Sequence, residues 1–293
     1  MGGDYKQPWG AAHPGCLIVL LDQSGSMSAA FGGHQAGAGR RKSDVVATVM
    51  NRMLDDFVLA CTRGTEIRAR ADIAALGYRS GTRVESVLPQ VKEFATPAEL
   101  RANTRRVEQR KRQELDDSGR QYEVEEQFSV WVDPVADGGT PMCAALARAR
   151  ELAERWVAAN PKNYPPVVVN VTDGMATDGS ADDVRTAAQA ITKLATEDGA
   201  ALLYNCHISE LADGAVEFPS SELDIPDNEY ASLLFSISSE IPETGRTIYE
   251  QFNKRPLVAG TRGYVFNGDA ISVRKLLNFA SVGALAQAPD PTQ

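Results

Sequence analysis

The sequence predicts an α/β fold, a doubly wound and mostly parallel sheet with helices on both faces. Three observations carry that expectation. Short apolar runs such as "CLIVLL" and "VVVNV" lack the alternation of a half-exposed strand and suit parallel strands buried on both faces. Between them lie segments whose apolar residues recur at helical spacing, the βαβ pattern of a parallel sheet. Several runs end in Gly-rich turns bearing hydroxyls and carboxylates, where ligand-binding loops sit on a rigid sheet.

The first strand is expected over Cys16 to Leu21, ending at Asp22, with a glycine-rich mobile loop after it. Ser43 is a plausible N-cap for a helix whose apolar residues fall at 45, 46, 49, 50, 53, 54, 57, 58 and 61, with Gly64 as its C-cap. Residues 66–79 and 82–88 alternate as two strands joined by "RSGTR". Residues 97–120 read as a polar helix starting near "TPAEL", and 123–133 as a returning strand. Thr140 and Pro141 supply an N-cap hydroxyl and an N1 proline for the helix "PMCAALARARELAERWVAAN". A second buried strand, "PPVVVNVTD", a helix over Asp182 to Glu197 and a third strand, "ALLYNCHIS", continue the alternation. A helical segment within 227–253, a last strand "RGYVFN" and a closing helix "DAISVRKLLNFAS" complete it.

At 293 residues, with 43% hydrophobic and 24% charged residues, the chain has room for one large domain or two small ones. It has no internal repeat or convincing linker, so a single domain over 15–284 is expected, with flexible termini at 1–14 and 285–293. The net charge of −9 argues against nucleic acid or an anionic membrane as the main partner. The arginine-rich stretch 101–112 is interleaved with Glu and lacks aromatics, which suits a solvated helix face better than an RNA-binding patch. No basic n-region leads into an apolar h-region, and the longest apolar run is far too short to span a bilayer, so a cytoplasmic protein is expected. Lys6 occupies the position where a myristoylation start wants Ser or Thr. Cys16, Cys61, Cys143 and Cys206 are dispersed without a CxxC pair and read as small buried hydrophobes. His13, His34 and His207 share no ligand spacing with them, and His207 reads as a core or strand-end histidine.

Five residues stand where apolar runs give way to turns: Asp22, Ser24 and Ser26 in "LLDQSGSMS", Thr140 in "DGGTPM" and Asp173 in "VVVNVTDG". Separately, each has a bland reading as a turn or capping residue. Together, three hydroxyls and two carboxylates form a set of hard oxygen donors suited to Mg²⁺ or Mn²⁺, with Ca²⁺ possible. Neutral hydroxyls leave most of the ion's charge uncompensated, whereas a site of carboxylates alone would quench it. Gly25, Gly139 and Gly174 let the loops turn and keep side chains off the metal face. Met27 and Met142, beside the hydroxyls, read as packing residues.

In this order and context, D-x-S-G-S, G-G-T-P and T-D-G resemble the metal-ion-dependent adhesion site (MIDAS) of von Willebrand factor A (VWA) domains, over about residues 15–210. The resemblance implies a Rossmann-like sheet with one short antiparallel edge strand, and a metal held by Asp22, Ser24, Ser26, Thr140 and Asp173. It sets residues 89–130 apart as an insertion, and 210–284 as a C-terminal extension completing the sheet and helices. It further implies an adaptor, not an enzyme, that captures an Asp or Glu of a protein partner through the ion. The chain looks like bacterial intracellular VWA proteins of the tellurite-resistance type, linked with Ser/Thr kinases and PP2C-type phosphatases in stress or defence systems. An alternative is a VWA subunit presenting a partner to an AAA-type ATPase, as in chelatase or MoxR-type systems. The chain has no G-x-x-x-x-G-K-[ST] loop, so that ATPase would be a separate protein. A metal-dependent phosphohydrolase fits less well, because Ser24 stands where an aspartate-nucleophile phosphatase has its second Asp, and no G-x-S-x-G elbow is present.

Overall fold

The computed structural model describes residues 3–31, 39–115, 120–208 and 214–283. Strand β1 (Gly15–Asp22) leads through a 3-10 turn (Gly25–Ser28) to α1 (Lys42–Ala60). Two short strands, β2 (Thr62–Arg63) and β3 (Glu66–Ile67), pair as a small hairpin ahead of β4 (Ala71–Arg79) and β5 (Arg83–Ser86). Next come α2 (Pro97–Ala102), β6 (Arg106–Leu115), β7 (Gln121–Val130), α3 (Met142–Ala159) and β8 (Val167–Thr172). The chain continues through α4 (Ala181–Thr192), a second small hairpin of β9 (Ala195–Thr196) and β10 (Gly199–Ala200), and β11 (Leu202–His207). Last are β12 (Val216–Glu217), α5 (Glu229–Ile237), α6 (Glu243–Asn253), β13 (Tyr264–Phe266) and α7 (Ala270–Asn278).

The central sheet has the order β12-β13-β11-β8-β1-β4-β5. Its five inner strands run parallel, and the edge strands β5 and β12 are antiparallel to their neighbours. The expected short antiparallel edge is therefore present, and the opposite edge has one too. From β1 the chain winds one way to β4 and β5, then returns to β8 on the other side of β1. This reversal between β1 and β8 is the topological switch point, outside whose carboxyl ends an open α/β sheet places its ligand crevice.

Alternate residues of β1 explain the two layers. Leu17, Val19 and Leu21 face Met50, Met53 and Phe57 of α1, together with Leu276 and Leu277 of α7. Cys16, Ile18 and Leu20 face Leu146, Ala149 and Leu152 of α3, with α4 and α5 beside them. All eight β1 residues are buried, which accounts for an apolar run without alternation.

Several local expectations are corrected. Residues 97–102 form a helix, with Thr96 as its cap, but 106–115 are a strand paired with 121–130 in a two-stranded ribbon. Among the charges that suggested a solvated helix, Lys111 is matched across the ribbon, its Nζ 2.7 Å from Glu123, and the partner strand is tied to α1 by Arg52, 2.5 Å from Glu126. Arg110 stacks 3.5 Å above the centre of the Phe128 ring. Helix α1 starts two residues earlier than an N-cap at Ser43 predicts, because an Ala30–Arg41 bridge fixes the preceding backbone, and Asp44 caps Arg41 N at 3.2 Å. The segment 227–253 holds two helices separated around Pro242, and the helix from Ala181 stops at Thr192. Residues 3–14 are anchored rather than free: Trp9 is buried and covers Gly15, and Tyr5 donates to Ala200 O. Part of the expected mobile loop, residues 32–38, lies outside the described residues, as does the C-terminal segment 285–293.

All four cysteines are unpaired, with Cys16, Cys61 and Cys206 buried and Cys143 partly so. Among the described residues, no helix is long and apolar enough to cross a membrane.

Candidate metal centre

Three loops converge at the switch point. Asp22, the last residue of β1, accepts a hydrogen bond from Ser24 N at 2.8 Å on Oδ1 and from Thr172 Oγ1 at 2.8 Å on Oδ2. The first bond closes the turn after the strand, and the second ties that turn to the end of β8. Just beyond β8, Asp173 accepts from Ser26 Oγ at 2.7 Å, and the Ser24 and Ser26 hydroxyls are 3.0 Å apart. Four of the five expected residues therefore form one hydrogen-bonded group. Asp22 and Ser24 lie buried at its base, while Ser26 is exposed at its mouth.

Thr140 enters on the third loop. That loop is joined to the first by Asp137 N to Gln23 O at 2.7 Å and Gly25 N to Gly138 O at 2.8 Å. It is joined to the loop after β8 by a reciprocal pair: Thr140 N donates to Thr177 Oγ1, and Thr177 N donates to Thr140 O, both at 2.9 Å. Thr140 Oγ1 lies 3.9 Å from where a Cβ on Gly174 would stand, so its hydroxyl faces the residue after Asp173. The glycine this loop most needs is Gly138, with φ +69°, where a Cβ would stand 2.7 Å from Ser80 Cα.

Thr140 does not cap α3 as its sequence context predicts. Pro141 holds the cap position, and the Asp178 carboxylate accepts from Cys143 N and Ala144 N at 3.1 and 2.9 Å. A carboxylate suits the positive end of the helix better than a hydroxyl, and it leaves the Thr140 side chain to the crevice. Met27 and Met142 are fully buried, as packing residues should be.

Among the described residues, no three His, Cys, Asp or Glu side chains cluster as a metal site. The donor chemistry here is different, since two carboxylates are interleaved with hydroxyls. An octahedral Mg²⁺ with oxygens at about 2.0–2.1 Å places neighbouring oxygens about 2.8–3.0 Å apart. The Ser24–Ser26 and Ser26–Asp173 oxygen separations of 3.0 and 2.7 Å bracket that range, so the residues present fit such an ion.

One basic group also reaches the site. Lys42 Nζ, from the first residue of α1, donates to Asp173 Oδ2 at 2.7 Å, with side-chain exposures of 5% and 0%. Lys42, Thr172, Thr177 and Asp178 were not singled out from the sequence. Lys42 sits in "GRRKSD", which reads as a solvated basic run, and Asp178 belongs to a second T-D-G that looks like an ordinary turn.

The titrating groups near the crevice pull in opposite directions. Burial raises Asp22 to about 6, against the Ser24 hydrogen bonds, which lower it, and with the Asp173 charge adding to the rise. Burial lowers His207, at the end of β11 between Phe266 and Tyr230, to about 4. Between about pH 6.5 and 4 the unfolded chain binds the His207 proton that the folded chain refuses, so this group withdraws stability as pH falls. Asp22 does the reverse: the cost of its buried charge is present above about pH 6 and is relieved on acidification. His207→Gln is expected to remove up to about 3 kcal/mol of acid-dependent destabilisation between pH 6.5 and 4. Urea midpoints measured across that range check it, and an unchanged pH slope would contradict the assignment.

No protein-family model matches the chain, and no curated protein matches it. Similar solved structures include a von Willebrand factor type A protein from Catenulispora acidiphila, at 16% identity and TM-score 0.44, covering 77% of this chain and 36% of that one. The ArnB paralog VWA2 from Sulfolobus acidocaldarius aligns at 12% identity and TM-score 0.36, covering 68% and 36%. Manganese-loaded TRAP protein from Plasmodium vivax aligns at 15% identity and TM-score 0.36, covering 69% and 59%. The chain thus spans between 36% and 59% of the lengths of these proteins. The strand order, the reversal beside β1 and the oxygen-bearing loops around that reversal are those of a doubly wound, mostly parallel α/β sheet with its crevice at the switch point.

Proposed function

We propose that the chain is a metal-dependent protein-binding module in which Asp22, Ser24, Ser26, Thr140 and Asp173 hold Mg²⁺ or Mn²⁺ for capture of a partner's Asp or Glu. The observation that carries this reading is the run of oxygens from Ser24 through Ser26 to Asp173, at separations of 3.0 and 2.7 Å, beside the switch point. A divalent ion bound there supplies an electrophilic position for an incoming carboxylate. Ser26 stands exposed at the mouth, and Met175, 63% exposed on the adjoining loop, offers an apolar contact beside it. Asp22 and Thr172 orient the base of the site through their 2.8 Å bond.

Binding rather than catalysis is supported by Ser24 standing where an aspartate-nucleophile phosphatase carries its second carboxylate. The family resemblance suggests partners among Ser/Thr kinases, PP2C-type phosphatases or AAA-type ATPases, in a cytoplasmic bacterial stress or defence system. The double change Ser24→Ala, Ser26→Ala removes two neutral donors without altering charge. It is expected to weaken Mn²⁺ binding by more than about a hundredfold by calorimetry, at about 1.4 kcal/mol per factor of ten. A folded double variant with the wild-type Mn²⁺ isotherm would sink the proposal.

A further inference from the structure

We infer that Lys42 is a tethered cation built into the proposed metal site, held on Asp173 Oδ2 and giving that carboxylate up when a divalent ion is taken. The inference rests on the metal-binding reading above and concerns how that site is loaded. The Lys42–Asp173 contact is not a surface ion pair, since both side chains are almost wholly shielded, at 5% and 0% exposure.

The chain delivers the ammonium through the same loop that carries the serine hydroxyls. Lys42 N donates to Ala29 O at 3.0 Å and Phe31 N donates to Arg40 O at 2.9 Å, so the start of α1 is fastened to the end of the Ser24–Ser28 turn. Each carboxylate oxygen in the site has a donor. Asp22 takes Ser24 N and Thr172 Oγ1, while Asp173 takes Ser26 Oγ and Lys42 Nζ. The oxygen run of the proposed metal site ends on Asp173 Oδ1, so Lys42 on Oδ2 and a divalent ion on Oδ1 would compete for the charge of one carboxylate, and like charges would be forced together if both stayed. A lysine suits this role because its point charge rides on a flexible four-carbon stem, whereas an arginine fork would be held by its geometry.

The exchange also bears on the partner. Neutral hydroxyls among the donors leave part of the ion's charge exposed, and the nearby ammonium raises the positive excess of the loaded site by one. An incoming Asp or Glu removes that excess. Lys42 therefore weakens metal binding alone and couples it to binding of an acidic partner, a linkage that works equally in both directions.

The test compares Mn²⁺ binding by calorimetry in wild type and Lys42→Met. It also maps acylation of Lys42 in the wild type by mass spectrometry, in EDTA and in saturating Mn²⁺, with exposed Lys162 and Lys193 as internal references. Lys42→Met is expected to bind Mn²⁺ at least about tenfold more tightly, and Lys42 to label several-fold more in Mn²⁺ than in EDTA. Wild-type Mn²⁺ binding with unchanged Lys42 labelling overturns the inference and leaves the metal reading standing, whether or not the variant folds. Equal or weaker Mn²⁺ binding by a folded Lys42→Met protein overturns it as well. Absence of Mn²⁺ binding in both proteins overturns the metal reading and this inference together.

Discussion

Replacing Asp173 by Ala is expected to lower the unfolding free energy by about 3–5 kcal/mol in EDTA, and to abolish Mn²⁺ binding. The change deprives the Lys42 ammonium, 5% exposed, of a carboxylate at 2.7 Å, and it takes the acceptor from Ser26 Oγ. Truncating one member of a shielded pair costs more than the pair contributes, because the remaining charge stays desolvated. Lys42→Met in the Asp173→Ala background removes that charge, so the double variant should regain a substantial part of the loss. Urea unfolding of the four proteins forms a double-mutant cycle that isolates the pair. A loss below about 1 kcal/mol in Asp173→Ala, the range of exposed pairs, would mean that Lys42 is solvated and does not share the crevice.

The contrast between Asp173 and Lys42 illustrates what the sequence made legible. Asp22 and Asp173 were readable because each ends a mainly apolar run without alternation, and such a run has one physical explanation in an α/β chain, a strand buried on both faces. The turn after it then marks the carboxyl end of the sheet. Lys42 offered no such signal, since its burial depends on where α1 starts and on an aspartate 131 positions away. Thr140 shows the same limit from the other side. Its N-cap context obeys the local rule, yet Asp178, 35 residues from Cys143, reaches the helix terminus first and reassigns the hydroxyl. Residues 106–115 defeated periodicity altogether. With charged or polar side chains at eight of ten positions, "RVEQRKRQEL" has neither a helical stripe nor an apolar alternation, and only its partner strand decides its conformation. Trp9 in the N-terminal segment was hidden for a related reason, because the surface it covers, Gly15 at the start of β1, is defined only once the sheet has formed.

Asn51→Ala is expected to cost about 3–5 kcal/mol and to weaken Mn²⁺ binding, although Asn51 touches none of the five oxygen donors. Asn51 lies on α1 at 3% exposure. Its Oδ1 accepts from Trp131 N and Val132 N, and its Nδ2 donates to Val132 O, each at 2.9 Å. This one side chain thus satisfies three main-chain groups where the chain leaves β7 for the loop that carries Thr140. Alanine strands all three in a buried setting, and an unmet buried main-chain group costs about 1–3 kcal/mol before relaxation. Asn51→Asp retains both acceptor bonds but sets a carboxylate oxygen against the Val132 carbonyl, so it should be destabilised too, though by a different bond. The metal effect follows from position. Trp131 is itself anchored by Nε1 to Leu100 O at 2.7 Å, so freeing its main chain from α1 lets the backbone between Val132 and Thr140 shift relative to β1. Urea midpoints and Mn²⁺ isotherms on the same preparations separate the two consequences. A destabilised variant with an unchanged isotherm would show that the bonds from Asp137 to Gln23 and from Gly25 to Gly138 hold the Thr140 loop without help from α1.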